Sequence, residues 1–308
     1  MTTPETDPDA LPPIIAPAGD PARKTQMRGI ALLLMAIVIF SLMDATAKYL
    51  GQNYPPAQIV WARFVGNLLI VLVIFGPRLR STLVSTRPGL QLARGLSHIA
   101  SSGLFFTSLQ FIGLAEATAI MDINPVLITL AAAIFLGESI GLRRILGIAA
   151  ALVGALIIIR PGAGVLHPAA ILPLIGAFTY AAGAVLTRMT RGDSTATSVL
   201  WSALVGSVLS SFVVPFFWQP IDPGHLWAFL LIGFLGAVSQ ALLIRAFALA
   251  EASAIAPFGY TGLVWAGLWG FLFWGTIPDL WTVTGALIIV AAGIYVWMRE
   301  ARAMHRAA

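Results

Sequence analysis

The sequence predicts an all-α integral membrane protein with ten transmembrane helices, arranged as two inverted five-helix repeats. Three observations predict it. Of 308 residues, 58% are hydrophobic and 10% charged, and the mean hydropathy is +0.90, more apolar surface than one soluble core hides. Apolar runs of about 20 residues, the length that crosses a hydrocarbon layer of roughly 30 Å, follow one another along almost the whole chain. Finally, the runs repeat: "GLAEATAI" at 113–120 returns as "ALAEASAI" at 248–255, and "GIAAALVGALIII" at 147–159 is echoed by "GALIIVAAGIYV" at 285–296.

The opening "MTTPETDPDALPPIIAPAGDPA" is rich in Pro and Asp and lacks the charged start and long apolar stretch of a signal peptide. It predicts a disordered tail over residues 1–27. Spans follow near 28–50, 57–76, 91–112, 114–136 and 142–160 in a first repeat, residues 28–160. A second repeat, residues 168–298, holds spans near 168–190, 194–217, 225–248, 251–273 and 279–298, and 299–308 form a second tail. Turn residues mark most breaks: Gly51, Pro55 and Pro56; Pro77 and Pro88; Pro161 and Pro168; Pro220 and Pro223; Pro278.

Alternating these spans across a membrane puts about fifteen of the 18 Lys and Arg residues on one side, leaving Lys48, Arg63 and Arg160 on the other. That bias predicts cytoplasmic termini at the cytoplasmic (inner) membrane. Five spans per half is an odd number, so the second half enters from the opposite face. This inverted architecture places substrates near the midplane.

Several chemistries are excluded. Cys is absent, which removes disulfides, thiolate metal sites and a Cys nucleophile. The net charge of +5 is dispersed between apolar runs, not gathered into the basic face that nucleic acid requires. There is no P-loop, H-E-x-x-H motif or paired-Asp diphosphate site. No cofactor, metal or direct use of ATP is therefore expected. The partners implied are a small-molecule substrate and membrane lipids, with a proton or other coupling ion, and a monomer or homodimer, left open.

Particular motifs carry a resemblance. "Q-x-x-W-A-R" opens span two (58–63), "N-P-V" lies in span four (124–126), "F-L-G-E" closes it (135–138), and the run around 248–257 reads "A-x-A-E-A-S-A-I-A-P". In this order they resemble the EamA family of the drug/metabolite transporter superfamily, over roughly residues 28–298. "S-L-M-D-A-T-A-K" (41–48), "A-R-G-L" (93–96) and "R-A-F-A-L-A" (245–250) are most similar to the branch with riboflavin and S-adenosylmethionine importers. The second half departs from the pattern, with "F-W-G-T" (273–276) in place of "F-L-G-E", which weakens any symmetric role for Glu138.

The intramembrane polar residues are the candidate site. At 1.5 Å per residue from Leu114, Asp122 lies about 12 Å deep and Asn124 about 15 Å. A carboxylate there costs about 2.5 to 3.5 kcal/mol to insert, so it is expected to face a cavity or a partner. Pro125 frees a carbonyl one turn earlier. The matching stretch of the second half, "APFGYTG" (256–262), brings Tyr260 to a similar depth from the other face. Two interrupted helices meeting at one level predict a wall of a substrate cavity; a structural kink whose Asp122 pairs with a neighbouring helix is the alternative.

Asp44 and Lys48 stand four apart, the order of a helical ion pair, and Arg63 is placed to bridge Asp44 or to reach the interface. This trio is read as a gate, an ion pair or direct substrate contacts. His98 lies beside Ser97, Ser101 and Ser102, a packing stripe or a relay. Gln240 is placed to bond a substrate or a carbonyl. Trp265 and Trp269 form an aromatic wall or plain packing. The reading is a secondary transporter moving a small polar or amphipathic metabolite by alternating access. An intramembrane enzyme on a lipid-like substrate and a passive channel are the other classes.

Overall fold

The computed structural model describes residues 21–76, 79–136, 142–159, 168–190, 192–249 and 256–307. The tail before Pro21, Glu138, Arg160, Gly164, residues 250–255 and Ala308 lie outside them. The helices are α1 Pro21–Leu50, α2 Pro56–Phe75, α3 Leu79–Leu83, α4 Pro88–Ser108, α5 Leu114–Met121, α6 Asn124–Leu136, α7 Leu142–Ile159, α8 Ile171–Met189, α9 Thr195–Val213, α10 Leu226–Leu249, α11 Thr261–Trp274 and α12 Leu280–Ala307. Helix α1 begins at Pro21, inside the segment expected as tail, where proline's fixed φ and missing N–H suit the first turn. Helix α12 runs past the expected span end at 298 to Ala307.

Segments 27–50, 56–74, 168–189, 196–217 and 223–243 are long and apolar enough to cross a membrane by length and composition, with shorter apolar helices at Ile145–Ile159 and Leu280–Tyr295. Helix α4 carries Arg94, Ser97, His98, Ser101 and Ser102. It packs against α8, α9 and α2, so its polar stripe is covered by protein rather than lipid. Large apolar side chains point outward instead, among them Val73 and Phe216, 82% and 84% exposed, as a bilayer solvent permits.

The fourth pass of each half is broken. In the first half the turn Asp122–Ile123 divides α5 from α6; the Ile123 N–H reaches only the Ile120 carbonyl, at 3.4 Å, because Pro125 perturbs the helical ladder. In the second half a 3-10 turn, Ala256–Tyr260, precedes α11. Gly275 ends α11 at φ 64°, and its N–H donates to the Phe271 carbonyl while Thr276 reaches back to Gly270. Only glycine enters that left-handed conformation without strain, which accounts for the Gly of "F-W-G-T".

The packing has two-fold character. Exchanging the halves maps α1 onto α8, α2 onto α9, α4 onto α10, α6 onto α11, and α7 onto α12. The contact of α1 with α10 then becomes that of α8 with α4, and α2 with α10 becomes α9 with α4. The contacts of α2 with α9 and of α7 with α12 map onto themselves, and that of α6 with α8 becomes that of α11 with α1. Glycines permit the closest approaches. A Cβ on Gly66 would lie 2.6 Å from the Gly233 Cα, and one on Gly285 would lie 2.5 Å from the Gly154 carbonyl oxygen.

Each end of the bundle is tied by side chains. At one end the Gln58 amide exchanges two hydrogen bonds with the Gln219 backbone, at 3.0 and 3.1 Å. Beside it the Tyr54 hydroxyl accepts from the Asp222 N–H and meets His225 Nδ1, both at 3.0 Å. At the other end Asp193, between α8 and α9, accepts from Gln91 Nε2 at 2.8 Å, from the Thr86 N–H and hydroxyl, and from the Ser85 hydroxyl. These donors, Gln91 first, hold the Asp193 carboxyl well below the usual carboxylate range.

Candidate transport site

Arg63 is the electrostatic centre of the interior. Its Nη1 donates to Ser102 Oγ at 3.0 Å, and its guanidinium lies 5.5 and 5.3 Å from the Phe64 and Phe106 rings. Two aromatic faces and a hydroxyl thus fix the fork without neutralising it. Within its field stand Asp44 from α1, Tyr180 from α8 and His98 from α4. The His98 ring meets Phe64 edge-on at 5.6 Å. Asp44 is half-buried and makes no hydrogen bond to a described residue.

Lys48 is directed elsewhere. Its ammonium donates to the Leu109 and Ile112 carbonyls at 2.8 and 2.7 Å, closing the C-terminal end of α4, where carbonyls lack helical partners. It also lies 5.7 Å over the Trp274 ring and within the field of Glu116, whose carboxylate accepts the Gly113 N–H at the start of α5. Asp44 and Lys48 share a face of α1 without an ion pair among the described residues. The structure brings Asp44 toward Arg63 instead.

The broken passes form a second polar group. Asp122 Oδ2, Asn124 Oδ1 and the Tyr260 hydroxyl are buried with no hydrogen-bond partner, and Asp122 and Tyr260 interact electrostatically across the two halves. Trp265 stacks on Trp269 at 6.1 Å, and Trp269 on Phe273 at 5.7 Å. The Trp269 indole N–H donates to Ser41 Oγ at 3.0 Å, one turn from Asp44, so this aromatic ladder runs along α1 beside the acid. Gln240 on α10 is half-buried, with no hydrogen bond to a described residue.

Sequence reasoning missed Tyr180 and the pair Asn67 and Ser207. Tyr180 was not singled out within its apolar span. Superposing the halves by Gly147 and Gly285 sets it next to the counterpart of Ser41 and was the available signal. Asn67 and Ser207 each follow a packing glycine, Gly66 and Gly206, on α2 and α9, and both leave a buried oxygen unpaired. Ser102, read with its neighbours as packing or a relay, holds Arg63. An apolar crevice of about 270 Å³ between α2, α4 and α9 is lined by Val60, Ile99, Thr107 and Val213 among others. No charged residue lines it.

The model of the EamA-like transporter family matches residues 27–160 and again residues 167–298. The S-adenosylmethionine uptake transporter of Rickettsia felis is 25% identical over 286 residues, covering 92% of this chain and 97% of that protein. The pseudopaline exporter CntI of Pseudomonas aeruginosa is 30% identical over 276 residues, 86% of this chain and 94% of that protein. The riboflavin transporter of Rhizobium johnstonii is 28% identical over 285 residues, 89% and 92% of the two chains. A crystal structure at 17% identity superposes with a TM-score of 0.60 over 87% of this chain and 96% of that one, and shares the fold. With one family match in each half and relatives aligned over nearly their whole lengths, this chain belongs to the EamA-like transporter family and is a two-repeat membrane transporter of metabolites.

Proposed function

We propose that the protein is a secondary carrier with both termini cytoplasmic, moving a small polar or amphipathic metabolite by alternating access through a cavity between its two halves. One observation carries the reading: polar side chains from both halves are held deep in an apolar bundle with hydrogen-bonding capacity that the described residues leave unfilled. Asp44 and Arg63 offer opposite charges, His98 and Gln240 offer neutral hydrogen bonds, and Trp265 offers a flat apolar face. Asp122, Asn124 and Tyr260 supply the wall at the helix breaks. Such a set suits a ligand with a flat ring and polar or charged groups, as the S-adenosylmethionine (charged) and riboflavin (neutral, polar) named for two relatives have. The relatives are named for uptake and for export, in keeping with a carrier whose direction follows its gradients. Both members of the two-fold arrangement lie in one chain, so a monomer is the unit we propose.

The test is flux into liposomes holding purified protein, with S-adenosylmethionine and riboflavin as separate probes and no ATP. A carrier shows saturation and counterflow when unlabelled probe is loaded inside. Flux without saturation or counterflow would mark a channel, and chemical conversion of lipid would mark an enzyme.

A further inference from the structure

Apart from the Asp44 and Arg63 layer, the breaks in the fourth and ninth passes bury three oxygens with no hydrogen-bond partner among the described residues: Asp122 Oδ2, Asn124 Oδ1 and Tyr260 Oη. No cation among the described residues lies within ion-pair distance of Asp122. Tyr260 faces it from the other half. The other ionisable groups on the elements packed around it have different engagements: Glu116 is turned back on Gly113, Asp44 and Tyr180 lie in the field of Arg63, and Tyr295 on α12 has interactions of its own. The tyrosine hydroxyl is packed against α12, where a Cβ on Gly293 would lie 1.6 Å from it.

An ionised carboxylate with no counter-charge or donor is costly at this depth. A neutral carboxylic acid is not, and it gains an O–H to offer to an orphaned acceptor. The three oxygens carry almost no accessible surface, which leaves no room for a substrate group between them in this conformation. Three ligands are also too few for a hard metal ion, which takes about six oxygens. A proton needs one.

We propose that Asp122 is a proton-binding site of the transport cycle. With the cavity open to one side, the carboxylate takes a proton from water there and becomes a neutral acid. The broken passes close over it only in that form, and the proton returns to water when the cavity reopens. Loaded and empty closures alike then carry one proton, so the site makes closure depend on pH with no net proton moved per cycle. The linkage to flux rests on the carrier reading above; the proton site does not.

Two measurements separate them. Infrared difference spectra of the full chain in lipid nanodiscs, without substrate at pH 8, are expected to show a carboxylic-acid carbonyl band that is lost in Asp122→Asn and displaced in Tyr260→Phe. A wild-type spectrum with no such band, or one that survives Asp122→Asn, overturns the site. In liposomes at equal pH on both sides, counterflow of S-adenosylmethionine or riboflavin is expected to fall over the same alkaline range in which the infrared band of the wild type is lost. Counterflow that stays constant across that range overturns the link between closure and protonation. If neither probe moves at all, the substrate reading fails while the infrared band still decides the site.

Discussion

Lys48 and Asp44 stand one helical turn apart, yet their partners differ, and the difference is measurable. Lys48 satisfies two carbonyls at the end of α4, so Lys48→Met leaves both without their donor, at a cost of about 1–3 kcal/mol. The expected outcome is a lower unfolding midpoint in detergent, partly restored by Lys48→Arg; an unchanged midpoint would contradict the capping role. A double-mutant cycle tests the pairing. Asp44→Ala and Lys48→Ala are expected to add within about 0.5 kcal/mol, whereas Asp44→Ala and Arg63→Ala should couple by more than that. Coupling confined to the first pair would reverse the assignment. The candidates Asp44 and Arg63 were legible as polar residues in apolar spans, and a bridge between them was one reading, but the sequence did not choose between it and the pair with Lys48. The four-residue spacing pointed to Lys48 because local geometry is all that a single helix reveals.

At the scale of elements, close helix contacts and end clamps hold the arrangement. Gly66 on α2 touches Gly233 on α10 backbone to backbone, so Gly66→Val forces the two helices apart. A loss of about 1–3 kcal/mol is expected, read as reduced thermal stability, while Gly103→Ala, whose Cβ meets nothing within 4 Å, serves as a neutral control. Equal effects at both positions would rule out the close contact as the cause. The Asp193 clamp adds a pH dependence. Its folded carboxyl titrates below its unfolded value, so its contribution is full above the unfolded value of about 3.9 and fades as the pH falls toward the folded one. The gap in unfolding midpoint between wild type and Asp193→Asn should be constant from pH 7 to about 5 and shrink on further acidification. A gap that widens in acid would mean the carboxyl is not held in its ionised form.

At the scale of the whole molecule, the odd number of spans in each half implies opposite entry, and cysteine labelling reads it directly because the chain has no native Cys. Gly224→Cys is expected to react with an impermeant thiol reagent in intact cells, and Gly89→Cys and Gly192→Cys only after permeabilisation. Labelling of Gly89→Cys and Gly224→Cys from the same side would exclude the inverted arrangement. What the sequence by itself determined is the solvent, the repeat and the two breaks. Apolar run length reports the bilayer, the recurrence of "LAEA" reports the duplication, and Pro125 and Pro257 interrupt hydrogen bonds in any surroundings. The ends of α1 and α12 ran beyond expectation because their outer turns are polar and carry no apolar signal to count. Only the tertiary structure decided which buried polar groups meet: that Arg63 rests on Ser102 between two rings, that Tyr180 enters its field, and that Asp122 and Tyr260 approach each other with no cation between them. The physical reason is rotational. A helix surrounded by apolar neighbours and lipid is hydrophobic on every side, so its sequence states how deep a residue lies but not which way it faces.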